Sequence, residues 1–176
     1  MSPGTTAEPE ILRLADPALA ARAAWRLFAC VRAELGACLP AEAAIEHVGA
    51  TAEPGCLGKG DLDIAVQVPS DLFAACRAIL AQRYADNPGS VRTADFAAFC
   101  DAAAEPPLGI QLVAIGSEFD LFVRFRDRLR AEPDLVERYN ALKRAHAGRS
   151  MAAYRAAKAD FIVAVLSHPH RDEAPR

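Results

Sequence analysis

Residues 46–66 read EHVGATAEPGCLGKGDLDIAV, a turn of small residues followed by an acidic segment with alternating polarity. Alternate residues of a strand point to the same side, so Asp61 and Asp63 share one face with Ala65 and Gln67. The other face carries only aliphatic side chains and can close a core: Leu62, Ile64, Val66 and Val68. The segment therefore predicts a strand at 61–68 that buries one face and presents two carboxylates at its start.

Two adjacent carboxylates repel each other unless a cation lies between them. Hard oxygen ligands of this kind suit Mg²⁺, which also accepts substrate phosphates as ligands. The turn at Gly49-Ala50 offers backbone N–H groups to a phosphate. The pattern thus indicates a magnesium and phosphate site, but a solvated strand end carries the same Asp-x-Asp, and from these residues alone both interpretations stay open.

The segment resembles the signature of the nucleotidyltransferase superfamily, and more closely that of the GrpB family. The matching residues are His47, Gly49, Thr51, Pro54, Gly55, Lys59 and Asp63. A second match follows downstream, at Gly116-Ser117, residues 125–130, Tyr139, residues 141–143, Tyr154, Lys158 and Phe161-Ile162. Together the two blocks extend over roughly residues 43–166, and they are far more specific than an Asp-x-Asp alone.

The resemblance implies a metal-dependent nucleotidyltransferase-like protein that binds a nucleoside triphosphate and transfers a nucleotidyl group to an acceptor of unknown identity. Asp61 and Asp63 are the expected catalytic residues and Mg²⁺ ligands. The expected phosphate-binding residues are Gly49, Ala50, Thr51, Lys59, Arg126 and Lys158, and His47 and Gln111 are further candidates. Two alternatives stay open: a catalytically inactive nucleotide-binding or adaptor module on the same fold, and a purely structural partner domain.

Three departures from the family pattern bear on activity. Ala50 replaces the usual serine and removes a hydroxyl, which leaves Thr51 as its substitute. Asp61 stands where many members of the family carry an apolar residue. Gln111 occupies the position at which an active relative needs a third carboxylate, and an amide is a weaker metal ligand. We therefore expect slow or absent turnover, although Asp95, Asp101 and Glu105 are near in sequence.

Arg126 lies beside an apolar stripe on a helix, where a buried guanidinium needs a carboxylate partner or a bound anion. The stripe consists of Leu121, Phe122, Phe125 and Leu129. A solvated face accounts for the remaining arginines, Arg124, Arg128 and Arg130. Lys158 has a similar position, one turn after Tyr154, at the border of an apolar face. We expect Arg126 and Lys158 to line a cleft between a helical region and the sheet, with a structural salt bridge as the alternative for Arg126.

The predicted fold is α/β (α+β): a small mixed sheet of nucleotidyltransferase type flanked by helices, with a helical C-terminal region. Asp16 caps the first helix and Gly36 ends it, and Ser70 caps the second helix. An irregular segment rich in Asp, Asn, Pro and Gly follows the second helix. The predicted elements are a helix at 16–36, strands near 44–48, at 61–68 and near 109–115, a helix at 71–84, and helices within 119–167 interrupted near Pro133 and Gly148.

Composition limits the class of protein. The 176 residues predict one domain, 1–176, with flexible ends at 1–10 and 168–176. A net charge of −3 disfavours bulk electrostatic binding to nucleic acid. The sequence contains no apolar run long enough to predict a membrane span and no pattern that predicts a secretion leader. We therefore expect a cytoplasmic protein. The five cysteines are predicted to be reduced thiols, with Cys56 in the motif segment accessible to oxidants.

Overall fold

The computed structural model describes residues 10–168, which form a five-stranded sheet with helices on both faces. The strands are β1 (Ala44–Val48), β2 (Leu62–Val68), β3 (Ala85–Asp86), β4 (Phe96–Asp101) and β5 (Leu108–Ala114). The helices are α1 (Pro17–Cys38), α2 (Phe73–Ala81), α3 (Phe122–Ala131), α4 (Pro133–His146) and α5 (Met151–Ser167). The predicted small mixed sheet with flanking helices and a helical C-terminal region is confirmed.

The strand order is β1-β2-β5-β4-β3, and β2 is bonded to neighbours on both sides. β2 and β5 run parallel, whereas the other three strand pairs are antiparallel. In this register Asp63 stands opposite Val48 of β1 and opposite Gly109 of β5. The carboxylate of Asp63 is therefore carried by an interior strand rather than by an edge.

The main core lies between one face of the sheet and helices α1 and α2. The aliphatic residues of β2, which are Leu62, Ile64, Val66 and Val68, are completely buried there, as the alternation predicts. Helix α1 contributes Ala24, Phe28, Val31 and Leu35, and α2 contributes Phe73, Cys76 and Leu80. Burial of this aliphatic and aromatic surface is the dominant favourable term in the stability of the fold.

The opposite face of the sheet is covered by the C-terminal helices. Helix α3 packs against β1, α4 and α5. Phe125, Leu129, Leu135, Tyr139 and Val165 form a second core among these helices, and Phe119 and Phe122 pack against Phe96 of β4. The polar positions of β2 and β5 point to this side, so the functional candidates lie between the sheet and α3–α5.

Helix α1 differs from its prediction at both its apolar stripe and its end. The side chain of Asp16 accepts a hydrogen bond from the backbone N–H of Leu19 at 2.8 Å, which confirms the predicted cap. However, the helix continues through Gly36 to Cys38, so Gly36 does not end it. The spacing of Leu19, Ala23, Leu27, Val31 and Leu35 predicts the buried stripe of this helix, but Leu19 is 60% exposed and Phe28 is buried instead.

Two further predictions in the middle of the chain were wrong. Helix α2 extends over Phe73–Ala81 and is shorter than the predicted helix at 71–84. Residues 70–72 form a 3-10 turn ahead of it, and Ser70 does not cap it. The segment predicted to be irregular contains β3 and β4. The strand near 109–115 and the helix breaks near Pro133 and Gly148 are confirmed.

Glu10 and His168 are the outermost described residues, and most of the predicted flexible ends, 1–10 and 168–176, lies outside the described range. Across residues 10–168, none of the helices has the length and apolar character needed to cross a membrane.

Candidate functional site

A cleft of about 90 Å³ opens between the polar face of the sheet and helices α3–α5. Its sheet side consists of β1, the turn that follows β1, β2 and β5, whereas its other side is largely aromatic and aliphatic. The lining residues are Val48, Gly49, Asp63, Gln111, Leu121, Phe122, Phe125, Arg126, Leu129, Tyr139, Lys158 and Ile162. Five of the predicted site residues are thus brought together: Gly49, Asp63, Gln111, Arg126 and Lys158.

Asp63 lies on the floor of the cleft between two glycines. A Cβ atom on Gly49 would meet Asp63 Oδ2 at 2.5 Å, and one on Gly109 would meet Asp63 Oδ1 at 3.1 Å. Gly49 also has φ +76° and ψ −169°, a conformation that is essentially restricted to glycine. The turn after β1 therefore needs glycine both for its backbone and for the approach of the carboxylate.

Asp63 is partly buried, and its carboxyl is influenced by neighbouring charges. Burial raises the pKa of the Asp63 carboxyl, the Lys158 ammonium lowers it, and the Asp61 carboxylate raises it again. Gln111 Nε2 donates a weak hydrogen bond to Asp63 Oδ1 at 3.4 Å, while Gln111 Oε1 is buried without a partner. The floor of the cleft thus holds a carboxylate that gains from an added cation and an amide oxygen that gains from a ligand.

Asp61 lies just before β2 and outside the lining of the cleft. Lys59 Nζ is 3.0 Å from Asp61 Oδ2 and 3.7 Å from Glu10 Oε1. Lys59 is therefore paired with carboxylates, and neither it nor Asp61 forms the wall around Asp63. Ala50 is likewise outside the cleft and packs against the core among the C-terminal helices.

Thr51 and His47 form a buried pair outside the cleft. The Thr51 hydroxyl donates to the backbone oxygen of Asp61 at 3.0 Å, and His47 Nε2 lies 3.0 Å from the same hydroxyl oxygen. Because the single proton of the hydroxyl goes to Asp61, His47 Nε2 is the donor to Thr51, and in the neutral imidazole Nδ1 is then unprotonated. Burial, followed by Arg130 and Arg126, lowers the pKa of His47 to about 4. The His47 ring packs against both Trp25 and Phe28, which also contact each other.

Arg126 has carboxylate partners, as one of its two alternatives predicts. Its Nη1 donates to Glu46 Oε2 at 2.7 Å and to the backbone oxygen of His47 at 3.0 Å, and its Nε donates to Asp127 at 2.9 Å. The guanidinium is buried, and these bonds join α3 to β1. Arg126 thus lines the cleft mainly as a structural link, with most of its donors already engaged.

The loop at residues 49–58, called the motif loop below, is held by side chains of α3 and α4. Arg130 Nε donates to buried Glu53 at 2.5 Å. Asn140 accepts from the backbone N–H of Leu57 at 2.8 Å and donates to the backbone oxygen of Gly55 at 2.9 Å. Arg130 is exposed, as predicted, although it also binds Glu53. Arg128 is half-buried rather than solvated, since it binds Glu132 and the backbone oxygens of Val165 and His168.

Cys56 is buried rather than accessible, because the motif loop turns its thiol toward α4. Lys143 Nζ lies 3.1 Å from Cys56 Sγ, contacts the backbone oxygen of Leu57, and is 3.6 Å from the centre of the Tyr139 ring. Sequence reasoning assigned no role to Asn140 or Lys143. The available signal was the second family block, in which Lys143 is a matching residue without an evident surface role.

The oxygen atoms around Asp63 fit Mg²⁺ as an ion that retains several external ligands. Asp63 supplies a carboxylate on the floor of the cleft and Gln111 Oε1 is a buried amide oxygen without a partner, while Asp61 lies outside the lining. Mg²⁺ is commonly held by one or two carboxylates together with substrate phosphates, so a full protein cage is not required. Within residues 10–168 no three His, Cys, Asp or Glu side chains come together as a metal group.

Comparison with known proteins identifies a matching family. The family model described as GrpB protein matches residues 18–168. A UPF0157 protein of Vibrio cholerae serotype O1 is 40% identical over 134 residues, which span 76% of this chain and 70% of that protein.

A solved structure shows the same architecture. The crystal structure of the conserved protein GrpB from Enterococcus faecalis matches with a TM-score of 0.64 and 18% identity over 89% of this chain and 97% of that chain. At this identity the match shows the fold alone. The Cid1 poly(U) polymerase bound to MgATP matches with a TM-score of 0.48 and 12% identity over 74% of this chain and 42% of that chain, a likeness too distant to indicate an activity.

Proposed function

This chain belongs to the GrpB family, and from that premise we propose that it is a nucleotidyltransferase-like protein that binds a nucleoside triphosphate together with Mg²⁺ at the Asp63 cleft. The observation that supports the proposal most strongly is the contact between Asp63 and the Gly49 turn. An interior carboxylate, a glycine turn and a lysine converge on one small cleft, with an unpartnered amide oxygen beside them.

The size of the cleft determines how much of a ligand it holds. Sites that enclose a whole small molecule measure about 300–1,000 Å³, whereas this cleft measures about 90 Å³. Only one end of a nucleotide fits inside, and the remainder extends over the outer surface. We place the phosphate end inside, where Lys158 offers a positive charge and Gly49 offers backbone close to Asp63.

In this proposal Asp63 holds the magnesium ion, with Gln111 Oε1 as an additional oxygen, and Asp61, which lies outside the lining of the cleft, would join them by leaving Lys59. When bound, Mg²⁺ would orient the phosphates and stabilise negative charge on them. The residues of the chain bind and orient the ligand: Lys158 attracts the phosphates, and the aromatic side chains of Phe122 and Phe125 exclude water from the inner part of the cleft.

Binding without transfer is the second candidate function, and two observations favour it. Gln111 occupies the position at which an active enzyme would carry a third carboxylate, and it contacts Asp63 directly. Asp61 is engaged by Lys59 at 3.0 Å, which competes with a metal for that carboxylate. In this version the protein is a nucleotide-binding or adaptor module, and nucleotidyl transfer to an acceptor does not occur.

Thermal unfolding tests the binding proposal. A ligand specific to the folded state stabilises it by about 2.7 kcal/mol at a hundredfold excess over its Kd, and each kcal/mol moves Tm by about 2–4 °C for a domain of this size. Nucleoside triphosphate with Mg²⁺ should therefore raise Tm by about 5–10 °C. Asp63→Asn should lose this shift, while Asp71→Asn, at an exposed position outside the cleft, should retain it. No shift with any common triphosphate, or an equal shift in Asp63→Asn, would contradict the proposal.

Incorporation of a labelled nucleotide separates the two candidate functions. Label transferred to an acceptor by the native protein, and lost in Asp63→Asn, would establish nucleotidyl transfer. A Tm shift without incorporation would identify a binding module. Gln111→Glu, which restores a carboxylate of the same length, is the informative companion variant, because it should increase incorporation if the missing acid limits turnover.

A further inference from the structure

Lys143 is the most deeply buried cation among the described residues, with 1% of its surface exposed, and no carboxylate in residues 10–168 forms an ion pair with it. Its Nζ atom instead faces a thiol, a backbone oxygen and an aromatic ring. Burial lowers the pKa of the Lys143 ammonium, which favours the neutral amine with its free electron pair. This pairing of a buried amine with a buried thiol has no part in the cleft function proposed above.

The two side chains are already in contact and are fixed in place. Cys56 Sγ and Lys143 Nζ are 3.1 Å apart, and both residues are at least 97% buried. Asn140, one turn before Lys143 on α4, holds the backbone on both sides of Cys56 through Gly55 and Leu57. The reacting atoms therefore need little movement to become linked.

We propose that Cys56 and Lys143 are a redox modification site at which hydrogen peroxide inserts one oxygen atom between Sγ and Nζ, creating a covalent N–O–S cross-link. The site is specific to this pair because it requires a thiol and an amine held in contact. Neither Cys56 nor Lys143 lines the cleft, but Tyr139 does and its ring also contacts Lys143, so a small oxidant entering from the cleft has to pass this ring.

The chemistry balances with two molecules of peroxide. The first oxidises the Cys56 thiol to a sulfenic acid: an S–O bond forms, the peroxide O–O bond breaks, and one water leaves. The second peroxide is the oxidant for the linking step, in which the O–N bond forms. It accepts two electrons together with one proton from the sulfenic O–H and one from the amine N–H, its O–O bond breaks, and it leaves as two waters. The product has gained one oxygen atom and lost two hydrogen atoms.

The cross-link would attach the motif loop covalently to α4. At present that attachment rests on hydrogen bonds from Asn140 and Lys143. A covalent bond between positions 56 and 143 closes a long loop and removes conformational freedom from the unfolded chain. Tm should consequently rise by about 5–15 °C on oxidation and return to its starting value after reduction.

Intact-mass and peptide mass spectrometry of the full chain test the proposal. Cys30→Ser serves as the background, because the exposed thiol of Cys30 would otherwise react first. After treatment with peroxide we expect a mass gain of one oxygen less two hydrogens, a linked pair of peptides containing Cys56 and Lys143, and reversal of both by dithiothreitol. Cys76 is the matched control, since it is equally buried but has no lysine among its hydrogen-bond partners in the described part of the chain.

The outcome is decisive even if substituted variants fold poorly, because the main measurement uses native Cys56 and Lys143. Lys143→Met, which preserves the length of the buried stem, should abolish the linked peptides and allow only stepwise addition of oxygen to Cys56. Three results would overturn the proposal: oxygen addition to Cys56 without linkage, a linkage that loses two hydrogens without gaining oxygen, or a Cys56 that stays unmodified while Cys100 or Cys38 reacts.

Discussion

At the scale of single residues, Gly49 and Gly36 show how differently two glycines can be used. Gly49 has a positive φ and lies against Asp63, so both its backbone and its missing side chain are required. Gly36 lies inside α1, and apart from its chain neighbours and the backbone of its own helix no heavy atom lies within 4 Å of the place where a Cβ would stand. The first glycine is therefore a requirement of the cleft, whereas the second only weakens a helix.

We predict opposite effects for alanine at these two positions. Gly49→Ala should destabilise the protein by about 3 kcal/mol or more, because an unfavourable backbone conformation adds to a clash with Asp63. Gly36→Ala should stabilise it by about 0.5–1 kcal/mol through lower backbone entropy in the unfolded chain. Urea denaturation of both variants checks the pair, and similar effects at the two positions would show that the Gly49 turn is misplaced.

His47 gives a prediction about pH. Its pKa is about 4 in the folded protein and about 6.5 in the unfolded chain, so the unfolded chain binds the proton first as pH falls. The contribution of neutral His47 is fully present above pH 6.5 and is lost as pH falls toward 4, a change of about 3 kcal/mol. His47→Gln retains a donor for Thr51 without titrating, and it should lose about 3 kcal/mol less between pH 7 and pH 4 in denaturant melts. Parallel curves for the two proteins would refute the assignment.

At the scale of elements, α3 is attached to the edge strand β1 mainly through one side chain. Arg126 bonds Glu46 and the backbone oxygen of His47, and it is the buried member of an otherwise largely exposed set of arginines on α3. Glu46 keeps 40% of its side chain exposed, so the ion pair itself contributes less than the buried bond to the backbone oxygen.

Arg126→Met should therefore lower the free energy of unfolding by about 2 kcal/mol. Methionine replaces the packing of the arginine stem, but the backbone oxygen of His47 loses its donor. Arg124→Met is the matched control on the same helix, and its effect should lie within about 0.5 kcal/mol since Arg124 is exposed. Equilibrium unfolding in urea measures both. An equal cost at the two positions would mean that Arg126 does not hold α3 on the sheet.

Elements with a regular pattern were predictable from the sequence, and those decided by tertiary contacts were not. β2 follows from its alternation, and the helix breaks follow from Pro133 and Gly148. β4 escaped prediction because Phe96–Phe99 are buried on both faces, which removes the alternation that marks a strand. Asp63 and Gly49 could be assigned to one site because they belong to one local motif. The partners of Arg126, Arg130 and Lys143 could not be predicted, because they lie about 80 positions away along the chain.

At the scale of the whole molecule, residues 10–15 cross from the C-terminal helices to the motif loop. The backbone of Glu10 and Leu12 forms hydrogen bonds with residues 148–151, where α4 is joined to α5. The backbone N–H of Ala15 donates a hydrogen bond to the backbone oxygen of Gly58. Leu12 is 1% exposed and packs with Met151 and Tyr154. The first described residues thus connect α5 with the loop that borders the cleft.

Leu12→Ala should consequently cost about 2–4 kcal/mol, since it leaves a cavity among the C-terminal helices. Leu19→Ala, at a position that is 60% exposed, should change stability by less than about 0.5 kcal/mol. Thermal or urea unfolding checks this pair. Equal and small effects would indicate that the segment at 10–15 does not pack on α5.

The clamping of the motif loop by α4 also has a consequence for synthesis of the chain. The partner of Leu57, Asn140, is translated 83 residues later, and the partner of Cys56, Lys143, is translated 87 residues later. On the ribosome, β1 and β2 can emerge long before either helix partner exists, so the loop stays without its partners until α4 has been translated. Lys158 comes later still, which means that a nascent chain acquires a complete cleft only after most of α5 has left the exit tunnel.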